Sequence, residues 1–257
     1  MATTAEVAGY LDTLLETANV PDFPNAINGL QLSNSGRVTK VAACVDFSSR
    51  AVSRAAEEGA NLLLVHHGMF WGGLRPLTGA AHARLRTLIE SDIAVYSSHL
   101  PLDRHPQFGN NVLLSRKLGL EPSGEFARYN NISIGVRGES DLSTTELLER
   151  ARRFARVHGG DAIATHFTDG RRTTRWAICT GAGASSETLE QATDAGIDTL
   201  IVGEGPHWTA VEAPEREMVI IYAGHYATET LGVAALADHL AGKFGLEWTM
   251  IHAPTGL

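Results

Sequence analysis

Hydrophobic positions along the chain alternate between helical spacing and the continuous runs typical of buried strands. Apolar residues recur at helical intervals over 7–15, and Thr3 with Glu6 predicts a capping box at the start of that helix. The loop 21–28 is followed by an alternation of predicted strands at 38–45, 61–65 and 93–98 with predicted helices at 49–58, 80–90 and 110–118. Such alternation predicts an α/β fold with mostly parallel sheets.

A segment in the middle of the chain is predicted to form a short βαβ piece. Its strands are expected at 132–136 and 162–167, and its helix at 143–157. Ser143 and Glu146 have the spacing of a second capping box. The polar stretch 169–172 is then expected to be a turn.

The sequence on either side of that piece repeats itself. Four blocks match in order: 39–44 with 174–179, 48–71 with 185–208, 96–103 with 222–229, and 117–121 with 243–247. Ordered internal similarity indicates a duplication. We therefore predict two related α/β units packed around a metal-binding cleft, with 1–125 as the first and 126–257, including the βαβ segment 126–172, as the second.

Composition narrows the class of protein. The chain has 257 residues with 29 acidic and 21 basic side chains, so its formal charge is −8, which disfavours a nucleic-acid partner despite the arginines of 150–156. No apolar run reaches the roughly 20 residues needed to span a bilayer. Cys44 and Cys179 form no CxxC pair, which favours a cytoplasmic protein with both cysteines in the core.

Candidate chemistry begins at a predicted strand end. His66 and His67 directly follow the apolar run of 61–65, and ligand-binding loops emerge at the carboxyl ends of parallel strands. The two imidazoles could each hold one metal ion. Asp103, in the loop after the next strand, could complete a histidine–carboxylate set with His67.

The second repeat supplies a matching pair. His225 and Glu229 are four residues apart, so they share a face if the helix has begun at His225. A glutamate can bridge two cations about 3.5–4 Å apart, as in many metal-dependent hydrolases. Histidine with carboxylate suits Zn, Fe, Mn, Co or Ni without discriminating among them. We therefore predict a centre with two divalent ions held by His66, His67, Asp103, His225 and Glu229.

Other interpretations stay open at this point. A His-His pair is often a surface or capping feature, and His-x-x-x-Glu is often only a helical side-chain pair. His99 matches His225 and could orient a ligand through a hydrogen bond or transfer a proton. Glu204 and His207 could line the cleft or lie outside it. The aromatic side chains of Phe70, Trp71 and Trp208 pack in the core or form the wall of a substrate pocket.

Several short motifs resemble the dinuclear metal-centre hexameric proteins known as GTP cyclohydrolase 1 type 2 homologues. They are Asn-Gly-Leu-Gln at 28–31, Val-His-His-Gly at 65–68, Ser-His-Leu-Pro-Leu-Asp at 98–103, Asn-Asn at 110–111 and Gly-His-Tyr-Ala-Thr-Glu at 224–229. The resemblance implies a ring-shaped homohexamer in which His67 and Asp103 hold one metal, His66 and His225 hold the other, and Glu229 bridges them. Gly68 stands where the family often has proline, and Leu100-Pro101 stands where Thr-Asn is common. Both departures bear on the local shape of the pocket and so on the choice of substrate.

The resulting functional hypothesis is a metal-dependent hydrolase that uses a metal-bound hydroxide on a small-molecule substrate, with His99 as proton shuttle. The family label suggests opening of the GTP imidazole ring. The chain has no P-loop and no glycine-rich phosphate cradle, so the residues themselves do not point to a nucleotide. The alternative is a non-enzymatic, ring-shaped metal-binding scaffold or regulator.

Overall fold

The computed structural model describes residues 2–257 and confirms the predicted α/β class. The chain forms two compact units. Unit 1 contains the described residues of Met1–Leu102 together with Gly232–Ala253, and unit 2 contains Asp103–Leu231 and Pro254–Leu257. Within the described residues, no helix combines the length and apolar character required to cross a membrane.

The strands, in chain order, are β1 (Ala2–Thr3), β2 (Gly29–Leu32), β3 (Arg37–Val38), β4 (Lys40–Asp46), β5 (Leu62–His67), β6 (Ala94–Ser97), β7 (Gly124–Tyr129), β8 (Ile132–Ser143), β9 (Ile163–Ala164), β10 (Arg172–Cys179), β11 (Thr199–Val202), β12 (Val219–Tyr222) and β13 (Glu247–Met250). The helices are α1 (Thr4–Leu14), α2 (Ser49–Glu57), α3 (Gly79–Glu90), α4 (Leu100–Asp103), α5 (Asn110–Lys117), α6 (Thr144–Val157), α7 (Ser186–Asp194), α8 (His207–Glu215) and α9 (His225–Phe244).

Unit 1 is built on a five-stranded sheet with the order β13-β4-β5-β6-β2. The first four strands are parallel, and β2 closes the edge antiparallel to β6. All residues of β5 are buried, as expected for a central strand covered on both faces. Because β4 and β5 run in the same direction, Asp46 and His67 end at the same edge of the sheet, as register partners.

Unit 2 contains a six-stranded mixed sheet with the order β7-β8-β10-β11-β12-β9. Its centre, β10-β11-β12, is parallel, and the flanking strands pair antiparallel. One face packs around Leu147 and Trp176, and the other around Leu189 and Leu200. Apolar burial on both faces explains why these strands are continuous apolar runs in the sequence.

The duplication is visible in the order of the elements. The run β4-α2-β5-α3-β6 corresponds to β10-α7-β11-α8-β12. The strand after each repeat belongs to the sheet of the other unit. Strand β7 follows the first repeat and lies in the sheet of unit 2, and β13 follows the second repeat and pairs with β4 in unit 1. The chain therefore enters unit 2 at Asp103 and returns to unit 1 at Gly232, whereas the sequence analysis drew one boundary at 125/126.

The predicted βαβ piece differs from the structure in both of its strands. Strand β8 is the second arm of an antiparallel hairpin with β7, and both belong to the large sheet. The second expected strand is reduced to β9, which runs antiparallel to β12. The turn contains Asn130 with φ of 52°, a left-handed conformation that asparagine tolerates better than most residues.

The two predicted capping boxes have opposite outcomes. At α1, Thr3 and Glu6 form the reciprocal hydrogen bonds of a capping box, so that prediction is confirmed. At α6 the prediction is wrong, because Ser143 makes no side-chain capping bond. Glu146 instead pairs with Arg150 one turn along the helix at 2.5 Å.

Candidate functional site

Three histidines of unit 1 converge at the carboxyl edge of its parallel strands. His66 and His67 end β5, and His99 follows the end of the neighbouring strand β6. All three are buried. Each imidazole has one ring nitrogen that lies within 4.8 Å of a ring nitrogen of the other two. These residues therefore form an imidazole cluster able to hold a metal ion.

The outward nitrogen of each imidazole in this cluster has an oxygen partner. The Nδ1 atom of His66 lies 2.9 Å from the Ser98 carbonyl oxygen. The Nδ1 atoms of His67 and His99 lie 2.8 Å from carboxylate oxygens of Asp46 and Asp22 respectively. Carbonyl and carboxylate oxygens accept hydrogen bonds, so each Nδ1 is the donor and each Nε2 is the ring nitrogen that these acceptors leave for another partner. This is the arrangement that orients metal-ligating histidines in proteins.

Asp22 is the centre of a buried network around His99, and its side chain is only 6 % exposed. Besides His99, it accepts hydrogen bonds from the Asn28 amide at 2.8 Å and the Leu100 backbone at 2.9 Å. The Asn28 oxygen accepts from the His99 backbone at 2.7 Å. Burial by itself raises the pKa of Asp22, but these hydrogen bonds and the nearby imidazole outweigh it, so the pKa lies below its ordinary value.

The indole of Trp71 covers the imidazole cluster. Its ring centroid lies 4.7 Å from that of His67 and 4.6 Å from that of His99. Phe23 packs edge-on against Trp71 and also approaches His99. The aromatic cover limits the water around the histidines, which strengthens electrostatic interactions there.

In unit 2, the start of α9 brings an imidazole and a carboxylate together. The helix begins at His225, so Glu229 lies one turn along the same face, as the spacing required. The Nε2 atom of His225 is 3.1 Å from a carboxylate oxygen of Glu229, whose side chain is 3 % exposed. On its other side, the Nδ1 atom of His225 is 2.7 Å from Glu204. Glu204 is thus the hydrogen-bond partner of His225, just as Asp46 and Asp22 are the partners of His67 and His99.

These carboxylates change the protonation of His225. Burial lowers the pKa of the imidazole, but the hydrogen bonds and charges of Glu229 and Glu204 outweigh it and raise the pKa to about 9. A divalent cation bound by Glu229 and the Nε2 atom would take the place of that proton. The pair therefore has the nitrogen and oxygen donors that a borderline divalent metal prefers.

Asp103 is the remaining predicted ligand. It is buried at the end of α4, and one carboxylate oxygen accepts a hydrogen bond from the Asn110 amide at 2.8 Å. Burial first, and then the charges of Asp103 and Glu229, raise the pKa of Cys179 to about 12. The carboxylates of Asp103 and Glu229 therefore both disfavour the charged thiolate form of Cys179.

Two glycines make room for the start of α9. Gly181 has φ of 63°, and a β-carbon there would collide with the Glu229 carboxylate. A β-carbon on Gly203 would lie 2.5 Å from the Gly181 carbonyl oxygen and 2.8 Å from the α-carbon of His225. Close packing of backbone around this imidazole–carboxylate pair therefore requires glycine at both positions.

Some residues of the site carry no clear signal in the sequence, and the roles of others were open there. Asp46 could have been found, because it directly follows the strand predicted at 38–45, which pairs with the strand that carries the histidines. Asp22 lies 77 positions from His99 in an irregular loop, and no periodicity marks it. Glu204 is now placed as the acceptor for His225, while His207 is exposed at the first position of α8.

The fold and these residues define a class: an α/β protein of two duplicated units that contains histidine and glutamate groups able to bind a metal ion. The comparisons with known proteins agree with that class. The model of the Duf34/NIF3 (NGG1p interacting factor 3) family matches residues 2–255, and the chain belongs to this family.

Individual relatives match over nearly the whole length. The chain is 36% identical over 258 residues to the GTP cyclohydrolase 1 type 2 homolog of Deinococcus radiodurans, covering 98% of this chain and 94% of that protein. The solved structure of protein ybgI, of unknown function, superposes with a TM-score of 0.89 at 32% identity, covering 99% and 100% of the two chains. TTHA1606 from Thermus thermophilus gives 0.85 at 34% identity, with the same coverage. The family resemblance predicted from the motifs is thereby confirmed.

Proposed function

We propose that this protein is a metal-dependent hydrolase with a dinuclear centre held by His66, His67, Asp103, His225 and Glu229. In this assignment His67 and Asp103 hold one divalent ion, His66 and His225 hold the other, and Glu229 bridges. Two such ions, when bound, acidify a water molecule and make hydroxide available near neutral pH.

One observation carries this proposal: each histidine of the set has its Nδ1 atom committed to an oxygen acceptor. His66 uses a backbone carbonyl, His67 uses Asp46, and His225 uses Glu204. Histidines that only cap a helix or lie on the surface have no reason to share such an oxygen partner at Nδ1 in three different places. It supports ligation through Nε2 because the acceptor fixes both the tautomer and the ring orientation.

His99 has a different role in the proposal. The buried Asp22 carboxylate orients its ring through Nδ1, and Asn28 holds both partners. An imidazole held in this way can transfer a proton through Nε2 during hydrolysis. We therefore propose that His99 acts as the proton shuttle and that Asp22 is its positioning residue.

The proposal extends to assembly as a homohexamer, as the family resemblance implies. Trp208 and Val211 on α8 are 40% and 57% exposed, and apolar side chains on one helix are typical of surface covered in an assembly. Light scattering of the purified protein should give six chain masses. A monomeric mass at micromolar concentration would contradict this part of the proposal.

The test of the centre combines metal content with activity. We expect about two equivalents of metal in the wild type, and metal-dependent hydrolysis in a screen of phosphoesters and nucleotides that includes ring opening of GTP, the reaction after which the relatives are named. Glu229→Gln should lose the metal and the activity. Glu212→Gln, at a partly exposed glutamate of α8 that pairs with Arg216, is the matched control and should change neither.

Two further variants test whether the ligands share one centre. His66→Ala and His225→Ala should each reduce the metal content, although the residues lie more than 150 positions apart in the sequence. Unchanged metal content in either variant would contradict a shared centre. Full metal content with no turnover on any substrate class would instead favour the scaffold or regulator.

A further inference from the structure

Unit 1 contains a cavity of about 440 Å³ beside the imidazole cluster. The ends of β4 and β5, the loop 68–78 and one face of α3 form its walls. His67 belongs to the lining, so the cavity reaches a proposed metal ligand directly. Its volume falls in the range of small-molecule sites in proteins.

One wall of the cavity consists of aromatic and apolar side chains. Phe47, Phe70 and Trp71 contribute rings. Trp71 lies against His67 with an angle of 35° between the ring planes, yet 36% of it stays exposed. Leu77, also in the lining, is 61% exposed. Such surfaces accommodate a flat, apolar ligand body, because ring faces stack readily and the exposed area is removed from water on binding.

The other part of the lining carries unbalanced positive charge. Arg75 and Arg84 both contribute guanidinium groups. Within residues 2–257, neither has a carboxylate oxygen within 4.0 Å; Arg75 donates to the Gly72 carbonyl at 3.1 Å, and Arg84 to the Ser49 hydroxyl at 3.3 Å.

Arg84 lies against the aromatic wall of the cavity. Its guanidinium carbon lies 5.6 Å from the centroid of the Phe47 ring, which fixes the side chain across the cavity wall. Its Nε atom is buried, and no hydrogen-bond partner lies near it in the described part of the chain. The Arg84 guanidinium therefore has donor capacity that no protein acceptor takes up, and Arg84 lies in the cavity wall.

The carboxylate in the lining does not neutralise these arginines. Asp46 is the acidic member of the lining, and its carboxylate accepts the hydrogen bond from the His67 Nδ1 atom at 2.8 Å. The cavity therefore has aromatic walls, a net positive charge and a position next to the proposed metal ligand. A negatively charged group is the complement that the two arginines lack.

We propose that this cavity binds a planar aromatic anion, with its ring against Trp71 and Phe47 and its phosphate or carboxylate group on Arg84 and Arg75. The inference rests on the proposed function in one respect, since it makes that ligand the substrate class of the hydrolase. The binding itself depends only on residues of unit 1 and can be measured separately from metal and turnover.

The first experiment compares charged and neutral probes of the same shape by titration calorimetry on the full-length protein. The pairs are adenosine 5′-monophosphate with adenosine, and 2-naphthoate with 2-naphthamide. A charge-assisted pair with arginine favours the anion by about tenfold or more. The pair with the larger discrimination identifies phosphate or carboxylate as the preferred group. Equal binding of anion and neutral analogue in both pairs would overturn the proposal, and so would no binding of either anion.

Substitutions then locate the binding. Arg84→Met keeps most of the side-chain length without the charge and should weaken the preferred anion by about tenfold while changing the neutral analogue little. Arg75→Met should act in the same direction and serves as the second variant if Arg84→Met is poorly folded. Arg86→Met is the matched control, because Arg86 lies on the same helix, pairs with Glu90 and lies outside the cavity. An equal loss in Arg86→Met would overturn the assignment.

Metal analysis separates this inference from the proposed function. The preferred anion should bind Arg84→Met about tenfold more weakly while its metal content equals that of the wild type. Anion binding that follows this pattern in a protein without metal or turnover supports the cavity and contradicts the hydrolase. Metal-dependent hydrolysis with no discrimination between anion and neutral probe supports the hydrolase and overturns the cavity assignment.

Discussion

The two repeats place different residues at the same strand end. In the first repeat β5 ends in His66-His67, and in the second β11 is followed by Gly203-Glu204. The first pair supplies two imidazoles to a cluster. The second supplies space for the start of α9 and a carboxylate that orients His225. The same strand end therefore carries candidate ligands in one copy, and in the other a residue that positions a candidate ligand.

The largest effect on stability is expected at Gly203 of the second repeat, where the surrounding atoms leave no room for a β-carbon. In Gly203→Ala, the new β-carbon would lie 2.5 Å from the Gly181 carbonyl oxygen and 2.7 Å from the Thr228 hydroxyl. We expect a loss of about 2–3 kcal/mol in the free energy of unfolding, measured by denaturant titration. Gly9→Ala in α1 is the control, since nothing lies within 4 Å of its β-carbon position. Equal stability of the two variants would show that Gly203 is not required for packing.

The next largest effect is expected on metal affinity, when the carboxylates that accept hydrogen bonds from His67 and His225 are neutralised. Asp46→Asn removes the charge behind His67, and Glu204→Gln removes it behind His225. Each variant should bind metal about 10–100-fold more weakly, because the carboxylate raises the basicity of the ligating imidazole. Competition with a chelator measures the affinity. Glu57→Gln, exposed on α2 and paired with Arg54, should leave it unchanged. An unaltered affinity in Asp46→Asn would break the parallel between the repeats.

Equivalent helix caps offer a smaller, matched comparison. Ser48 caps α2 through the Ala51 amide, and Ser185 caps α7 through the Thr188 amide. Only the second cap has the reciprocal bond, from the Ser185 backbone to the Thr188 hydroxyl at 2.8 Å. Replacing either serine with alanine should cost about 1 kcal/mol of stability by denaturant titration. Unchanged stability in either variant would contradict the capping role of that serine.

The smallest difference is expected between the equivalent cysteines. Burial raises the pKa of Cys44 to about 11 and that of Cys179 to about 12. Both raised values favour the neutral thiol, so the reactive thiolate forms only as the pH rises well above neutral. Native protein at pH 8 should react slowly with iodoacetamide, and Cys179 more slowly than Cys44, as followed by peptide mass spectrometry. Rapid labelling of Cys179 would contradict its burial beside two carboxylates.

Much of the fold was readable from periodicity. Helices α2, α3 and α5 lie within one residue of their predicted bounds. For α2 and α5 a glycine, at 59 and 119, marks the end of the helix. The β7-β8 hairpin was missed although Asn130-Asn131 separates two strand-like runs, a common turn signal. The strand exchange between the sheets has no local signal, since pairing partners depend on contacts far apart in the chain.

The candidate ligands were easier to predict than their supporting residues. His66, His67 and His225 stand out through strand ends and internal repetition, two signals that a single sequence contains. Asp22 reaches His99 from an irregular loop, so its role becomes visible only in three dimensions. The capping box predicted at Ser143 failed because Glu146 has an alternative partner in Arg150, a competition that residue spacing does not reveal.

The late strand β13 has a consequence for handling the protein. It covers one edge of β4, whose five central residues are all apolar and buried. Removing the residues after α9 would leave the backbone N–H and C=O groups of that strand open along a β-rich apolar segment. Exposed edges of this kind pair with other chains, so a truncated protein would be prone to aggregate even though every candidate metal ligand is retained.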